Sequence, residues 1–193
     1  MNEKKFDPKK LHKLNNPARL IDIPVEYIWS KMNIVRPEIF VDIGAGTGFF
    51  SIPFLNYVEN GKIFACDISD SMIQWMETNI SRRYPNIVPM AMTESAVPLE
   101  DGIADLVYMI NLHHELDDPQ AILAESFRIL KADGTICIVD WKKEEMSEGP
   151  PVHIRYAPEQ VEEQLASSDF QNIHVFSEMA KHFLVVAEKG SAR

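Results

Sequence analysis

The feature that most constrains this chain is an apolar run that breaks into alternating glycines. VDIGAGTGFF (residues 41–50) ends a short apolar segment and then places Gly44, Gly46 and Gly48 in succession. A run of that length bounded by glycine reads as a buried strand feeding a tight turn. Glycine accepts positive φ and puts no Cβ in the way of a neighbour or ligand. In an open α/β sheet, ligands bind beyond the carboxyl ends of the strands, where this turn falls.

The pattern around the turn is one of repeated strand and helix units. IFVDI (39–43), KIFAC (62–66), IVPMA (87–91), ADLVYMI (104–110) and TICIVDW (135–141) read as strands, and Pro89 puts the third near a sheet edge. Ser69 is expected to cap a helix with Met72, Ile73, Met76 and Ile80 on one face, and Asp118–Pro119 to open another ended by Gly134. Pro53 is expected to delay or kink the helix over 49–58. NIHVFSEM (172–179) and HFLVVAE (182–188) suggest a closing antiparallel hairpin. Such alternation predicts a doubly wound α/β sheet with helices on both faces. The 193 residues suit one domain. Its parts are a helical arm and cover (1–36), a ligand-binding core (37–140), and a lid loop, helix and closing strands (141–193). Residues 1–23 are expected to be mobile without ligand.

Composition narrows the partners. The net charge of −10 disfavours broad nucleic-acid binding, which needs basic side chains on phosphates. The opening MNEKKFDPKK lacks the apolar core of a signal peptide, and no apolar run approaches a membrane span. Cys66 and Cys137 fall in apolar strand-like runs and read as buried, reduced thiols of a cytoplasmic protein.

A dinucleotide fingerprint needs G-x-G-x-x-G, but the sixth position here is Phe49, which works against a nicotinamide dehydrogenase. A purely architectural turn is the other rival. Asp67, ending the second strand, can accept hydrogen bonds from both hydroxyls of a ribose, and beside the glycine turn it is the best single ligand contact.

VDIGAGTG, CDIS, ADLVYMINLHHELDDP and LKADGTICIVDW together resemble class I S-adenosylmethionine-dependent methyltransferases, in the branch of ubiquinone/menaquinone-biosynthesis C-methyltransferases. The resemblance implies a Rossmann-like, seven-stranded mixed sheet with its last strand antiparallel and a helical N-terminal cover. It implies S-adenosylmethionine as cofactor and a small or medium organic acceptor, with the protein a monomer or homodimer. A cofactor-binding module of the same fold without turnover is the alternative. By resemblance, Asp42, Gly44, Ala45 and Gly46 form the methionine side of the site, joined by Asn111. Asp67 holds the ribose, with Ile68 and Met72 near the adenine. The adenine amino group falls to Thr93, Glu94 or the backbone, because the family's usual acid is replaced by Thr93.

His113, His114 and Glu115 follow the fourth strand, and imidazole and carboxylate are the usual general bases near neutral pH. Adjacent histidines point in different directions, so no metal is expected. Asp140 and Trp141 end the fifth strand at the same crevice. His153, Arg155 and Tyr156 lie in a polar loop over 142–157 that reads as a lid.

Overall fold

A computed structural model describes residues 11–190. The arm contributes helices α1 (Leu11–Leu14), α2 (Arg19–Asp22) and α3 (Val25–Ser30). The core follows as β1 (Ile39–Ile43), α4 (Ser51–Phe54), β2 (Lys62–Asp67), α5 (Asp70–Asn79), β3 (Ile87–Ala91), β4 (Ala104–Ile110), α6 (Pro119–Ile129) and β5 (Leu130–Trp141). Helix α7 (Pro158–Ser167) and strands β6 (Phe170–Phe176) and β7 (His182–Lys189) complete it.

The seven strands run in the order β3-β2-β1-β4-β5-β7-β6. Neighbours from β3 to β5 pair in parallel, while β7 is antiparallel to both β5 and β6. The expected seven-stranded mixed sheet forms with its last strand antiparallel, and β7 lies between β5 and β6. The sequences explain this. HFLVVA is buried on both faces and fits an interior strand, whereas β6 is mostly exposed beyond Phe170 and fits an edge.

Two cores form on opposite faces. Val41, Ile43, Val107, Met109, Ile136 and Ile138 pack against Ile122 and Leu123 of α6 and Val161 and Leu165 of α7. Phe40, Leu106, Tyr108, Cys137 and Val139 face the arm, meeting Ile23, Val25 and Ile28. Both cysteines are free and buried. No helix among the described residues is long and apolar enough to cross a membrane.

Several local expectations shift. The helix over 49–58 shrinks to α4 followed by a 3-10 turn at Leu55–Tyr57, since Pro53 has no N–H to continue the ladder. Ser69 stands at the N-cap of α5, but its hydroxyl pairs with that of Ser71 and does not cap; its carbonyl receives Met72 and Ile73 N–H. Asp118 caps α6 as expected, accepting from Ala121 N–H at 3.1 Å. Helix α6 stops at Ile129, five residues before Gly134, and Leu130 already belongs to β5. Residues 11–23 touch the carboxyl end of the sheet through Leu14 beside Gly46, Arg19 over Phe50, and Asp22 paired with Lys181, and Ile23 is buried. The remainder of the arm expected to be mobile, residues 1–10, lies outside the described residues.

Candidate active site

The glycine turn is held from two sides. Gly44 and Ala45 N–H both donate to Cys66 O at 2.9 Å, which ties the turn to the end of β2. Gly44 and Gly46 take φ of 71° and 57°, a region that disfavours any side chain. Gly46 N–H donates to Asp67 Oδ2 at 2.8 Å, and Ser69 N–H donates to Asp67 Oδ1 at 2.9 Å. Burial pushes the Asp67 carboxyl above the usual aspartate range, against the pull of these backbone donors. Asp67 therefore organises the turn as well as bordering it.

The space above the glycines is closed by two leucines. A Cβ on Gly44 would sit 2.6 Å from Leu112, and one on Gly46 would sit 3.2 Å from Leu14 of α1. Arg19 pins the arm there. Its guanidinium donates to Leu14 O at 2.6 Å and lies over the Phe50 ring at 4.6 Å. Burial brings Arg19 down to about 10, partly offset by the nearby charge of Asp42.

Asp42 itself lies beneath the turn. Its Oδ2 accepts from Ser51 Oγ at 2.6 Å, and burial pushes its pKa up to about 7. The Tyr108 hydroxyl is close to Asp42 and Ser51 but makes no hydrogen bond of good geometry among the described residues.

The other expected contacts fan out along the strand ends. Ile68 is 47% exposed directly after Asp67, an apolar surface at the rim. Met72 is buried in the first turn of α5. Thr93 and Glu94 are exposed beyond β3, and Thr93 turns its N–H and hydroxyl to Ala96 O. Asn111 takes a left-handed φ of 57°, and its Oδ1 is buried with no partner among the described residues; the Thr47 hydroxyl in the glycine turn is likewise unpartnered.

His113, His114 and Glu115 form a 3-10 turn after β4, with both imidazoles buried. They do different things. His113 Nε2 pairs with Gln164 of α7 at 2.7 Å, its ring meets Tyr156 edge-on, and burial pulls its pKa below the ordinary value. His114 is gripped by Asp140 at two points: backbone N–H to Oδ2 at 2.8 Å, and Nδ1 to Oδ1 at 2.7 Å. Its Nε2 lies 3.7 Å from Glu115 Oε1. Burial opposes charging of His114, but the Asp140 hydrogen bond and charge win and raise it. Asp140 stays low for the same reason, its burial outweighed by His114. Among the described residues, no group of three His, Cys, Asp or Glu side chains gathers where a metal ion could be held.

The loop over 142–157 is tied down by Arg155, a residue buried to 3% exposure. Its guanidinium donates to the carbonyls of Lys142, Glu144, Glu148 and Pro150. Arg155→Ala leaves these carbonyls without their common donor, so the loop is expected to be cleaved at least about tenfold faster in limited proteolysis. Equal cleavage of wild type and variant would show that Arg155 does not hold the loop.

Comparison with known proteins identifies the frame. The profile of the family described as methyltransferase domain matches residues 41–138, just over half the chain. The chain belongs to that family. A crystal structure of a SAM-dependent methyltransferase from Aquifex aeolicus is 30% identical and superposes with a TM-score of 0.88, covering 95% of this chain and 99% of that one. A malonyl-[acyl-carrier protein] O-methyltransferase of Geobacter sulfurreducens is 30% identical over 100 residues, 52% of this chain and 37% of the relative. A ubiquinone/menaquinone biosynthesis C-methyltransferase of Francisella tularensis subsp. novicida is 23% identical over 132 residues, 64% of this chain and 53% of the relative. The chain thus spans only 37% and 53% of these two curated relatives.

The cofactor of such a methyltransferase is S-adenosylmethionine. The residues present fit it. Two buried, unpartnered oxygens, Thr47 Oγ1 within the glycine turn and Asn111 Oδ1 after β4, stand at the ends of the strands, Gly44 and Gly46 carry no side chain, and a carboxylate closes β2. That is a donor and acceptor set suited to an amino-acid moiety and a ribose.

Proposed function

We propose that this methyltransferase transfers a methyl group from S-adenosylmethionine to a small or medium organic molecule, releasing S-adenosylhomocysteine. The observation that carries the reading is the succession along one sheet edge of the Asp67-braced glycine turn and the buried His114–Asp140 pair. In this reading Gly44, Ala45, Gly46 and Asn111 hold the methionine moiety above Asp42, and Asp67 holds the ribose. Ile68 and Met72 border the adenine, and its amino group meets Thr93, Glu94 or the backbone. When bound, the cofactor's sulfonium supplies an electrophilic methyl group. The protein's share is then alignment of the acceptor, which contributes roughly 7–11 kcal/mol, and removal of its proton where it has one to lose.

His114 is the group placed for that second task. Asp140 holds Nδ1 and leaves Nε2 toward Glu115, so proton transfer falls to Nε2. His113, occupied by Gln164, shapes the wall. Leu14, Arg19 and the Arg155-tied loop enclose the site and exclude water. The names of the two curated relatives, together with a net charge of −10, support an organic acceptor over a nucleic acid. The free buried thiols support a cytoplasmic setting, and we take the working unit to be a monomer or homodimer. Titration calorimetry with S-adenosylmethionine, followed by detection of S-adenosylhomocysteine across an acceptor panel, tests the reading. Binding without product from any acceptor would leave a cofactor-binding module; no binding would remove the reading altogether.

A further inference from the structure

Arg19 is a charged side chain of the arm whose donors the fold leaves largely unused. It opens α2 and is partly exposed. Its guanidinium donates a single hydrogen bond, to Leu14 O, and forms no ion pair with a carboxylate among the described residues. The charge of Asp42 reaches it without a salt bridge. The rings of Phe50 and Phe49 lie beneath it, their centroids 4.6 and 5.4 Å from the guanidinium carbon. Ring faces hold a cation without occupying its N–H groups, so a planar fork of donors stays available. The arm keeps it there: Asp22 of the same helix pairs with Lys181 at 2.8 Å, and Ile23 is buried. Leu14, whose carbonyl Arg19 holds, has its side chain against Gly46, and the two phenylalanines directly follow Gly48. The guanidinium therefore stands over the glycine turn, in a place still reached by solvent.

We infer that Arg19 binds the carboxylate of the cofactor's methionine end, as an anchor brought to the site by the arm. This rests on the proposed methyl transfer from S-adenosylmethionine and adds a charged contact to the groups already placed there. The methionine end carries a carboxylate and an ammonium. Gly44, Ala45, Gly46 and Asn111 are neutral, and Asp42 and Asp67 are acids. Without Arg19 the carboxylate would be set among neutral and like-charged groups. A guanidinium matches a carboxylate with parallel N–H bonds. The gain runs both ways. An unpaired cation drawn away from water loses hydration, and burial brings the Arg19 pKa down to about 10, which still leaves it charged at neutral pH. An anion between it and the turn offsets that loss. Leu14, half-buried at the end of α1, is the side chain that yields as the moiety enters.

Calorimetry on the full chain tests this with two ligands, S-adenosylmethionine and its decarboxylated form, which keeps the sulfonium, the amine, the ribose and the adenine. The wild type is expected to bind S-adenosylmethionine at least about tenfold more tightly than the decarboxylated compound. Arg19→Met keeps an apolar stem over the two rings. It is expected to lose that preference through weaker S-adenosylmethionine binding, with affinity for the decarboxylated compound unchanged. Arg19→Lys keeps the charge without the fork and is expected to retain part of the preference. A residue that only pins the arm would weaken both ligands alike in Arg19→Met. That result overturns the inference, as does equal affinity of the wild type for the two ligands, and either leaves methyl transfer standing. Failure of the wild type to bind S-adenosylmethionine is the separate result that sinks the proposed function.

Discussion

Asp67→Ala is expected to lower S-adenosylmethionine affinity at least about a hundredfold. The carboxylate has two duties in the proposed complex. It accepts from Gly46 and Ser69 N–H, which fixes the glycine turn, and it would accept from the ribose hydroxyls with its remaining lone pairs. Hydrogen bonds to a charged group contribute about 1.5–3 kcal/mol each, so loss of the two ribose bonds alone is about 3 kcal/mol or more. Asp67→Asn is expected to retain little, because its amide NH2 would face a backbone N–H on one side. Binding also needs the ionised carboxylate. Since burial raises the Asp67 pKa, affinity is expected to fade on the acid side at a higher pH than an ordinary aspartate would give. Titration calorimetry on wild type and both variants reads each point. Unchanged affinity in Asp67→Ala would take this residue out of the cofactor site.

What the sequence made legible, and what it hid, divides along range of interaction. The parallel strands are readable because each contains a short apolar run, the first running into Gly44 and the second closing on Asp67. The topology rule then places Gly44, Asp67 and Asn111 on one sheet edge. The insertion of β7 was less visible, since a hairpin in sequence does not say which of its strands meets the older sheet. Burial on both faces of β7 carried that signal. The pairing of His114 with Asp140 spans 26 residues and depends on β4 and β5 being neighbours in register, so no local pattern announces it. In the sequence Arg155 reads, with His153 and Tyr156, as part of a polar lid loop. Only the fold shows its guanidinium gathering four carbonyls of its own loop. Arg19 gives no signal of its own within a polar arm, because its place over the glycine turn is set by Leu14 and Phe50.

His114→Ala is expected to lower turnover by up to about a hundredfold with cofactor affinity intact, and Asp140→Asn to lower it by about tenfold. A positioned base typically contributes about 10²–10⁴-fold, and the lower end applies here because alignment against an electrophilic methyl group supplies much of the barrier reduction. The pH profile separates a base from a packing residue. His114 is held above its ordinary pKa by Asp140, against burial, and must be neutral to accept a proton. Turnover is therefore expected to rise with pH through a limb above the ordinary histidine value. In Asp140→Asn the Asp140 charge is gone and burial is opposed mainly by Glu115, so the limb is expected to move to lower pH while the plateau falls. Stability runs the other way. The native pKa is raised, so the pair's contribution is full below the unfolded histidine pKa of about 6.5 and is lost as pH rises through the native value. Rates at saturating acceptor, taken across pH, give the limb for wild type and Asp140→Asn, and chemical unfolding gives the stability curve. If the limb stays in place while the plateau drops, Asp140 only packs the site. Complete loss of chemistry in His114→Ala, with fold and cofactor affinity unchanged, would make this histidine the principal catalyst and alignment the lesser contribution.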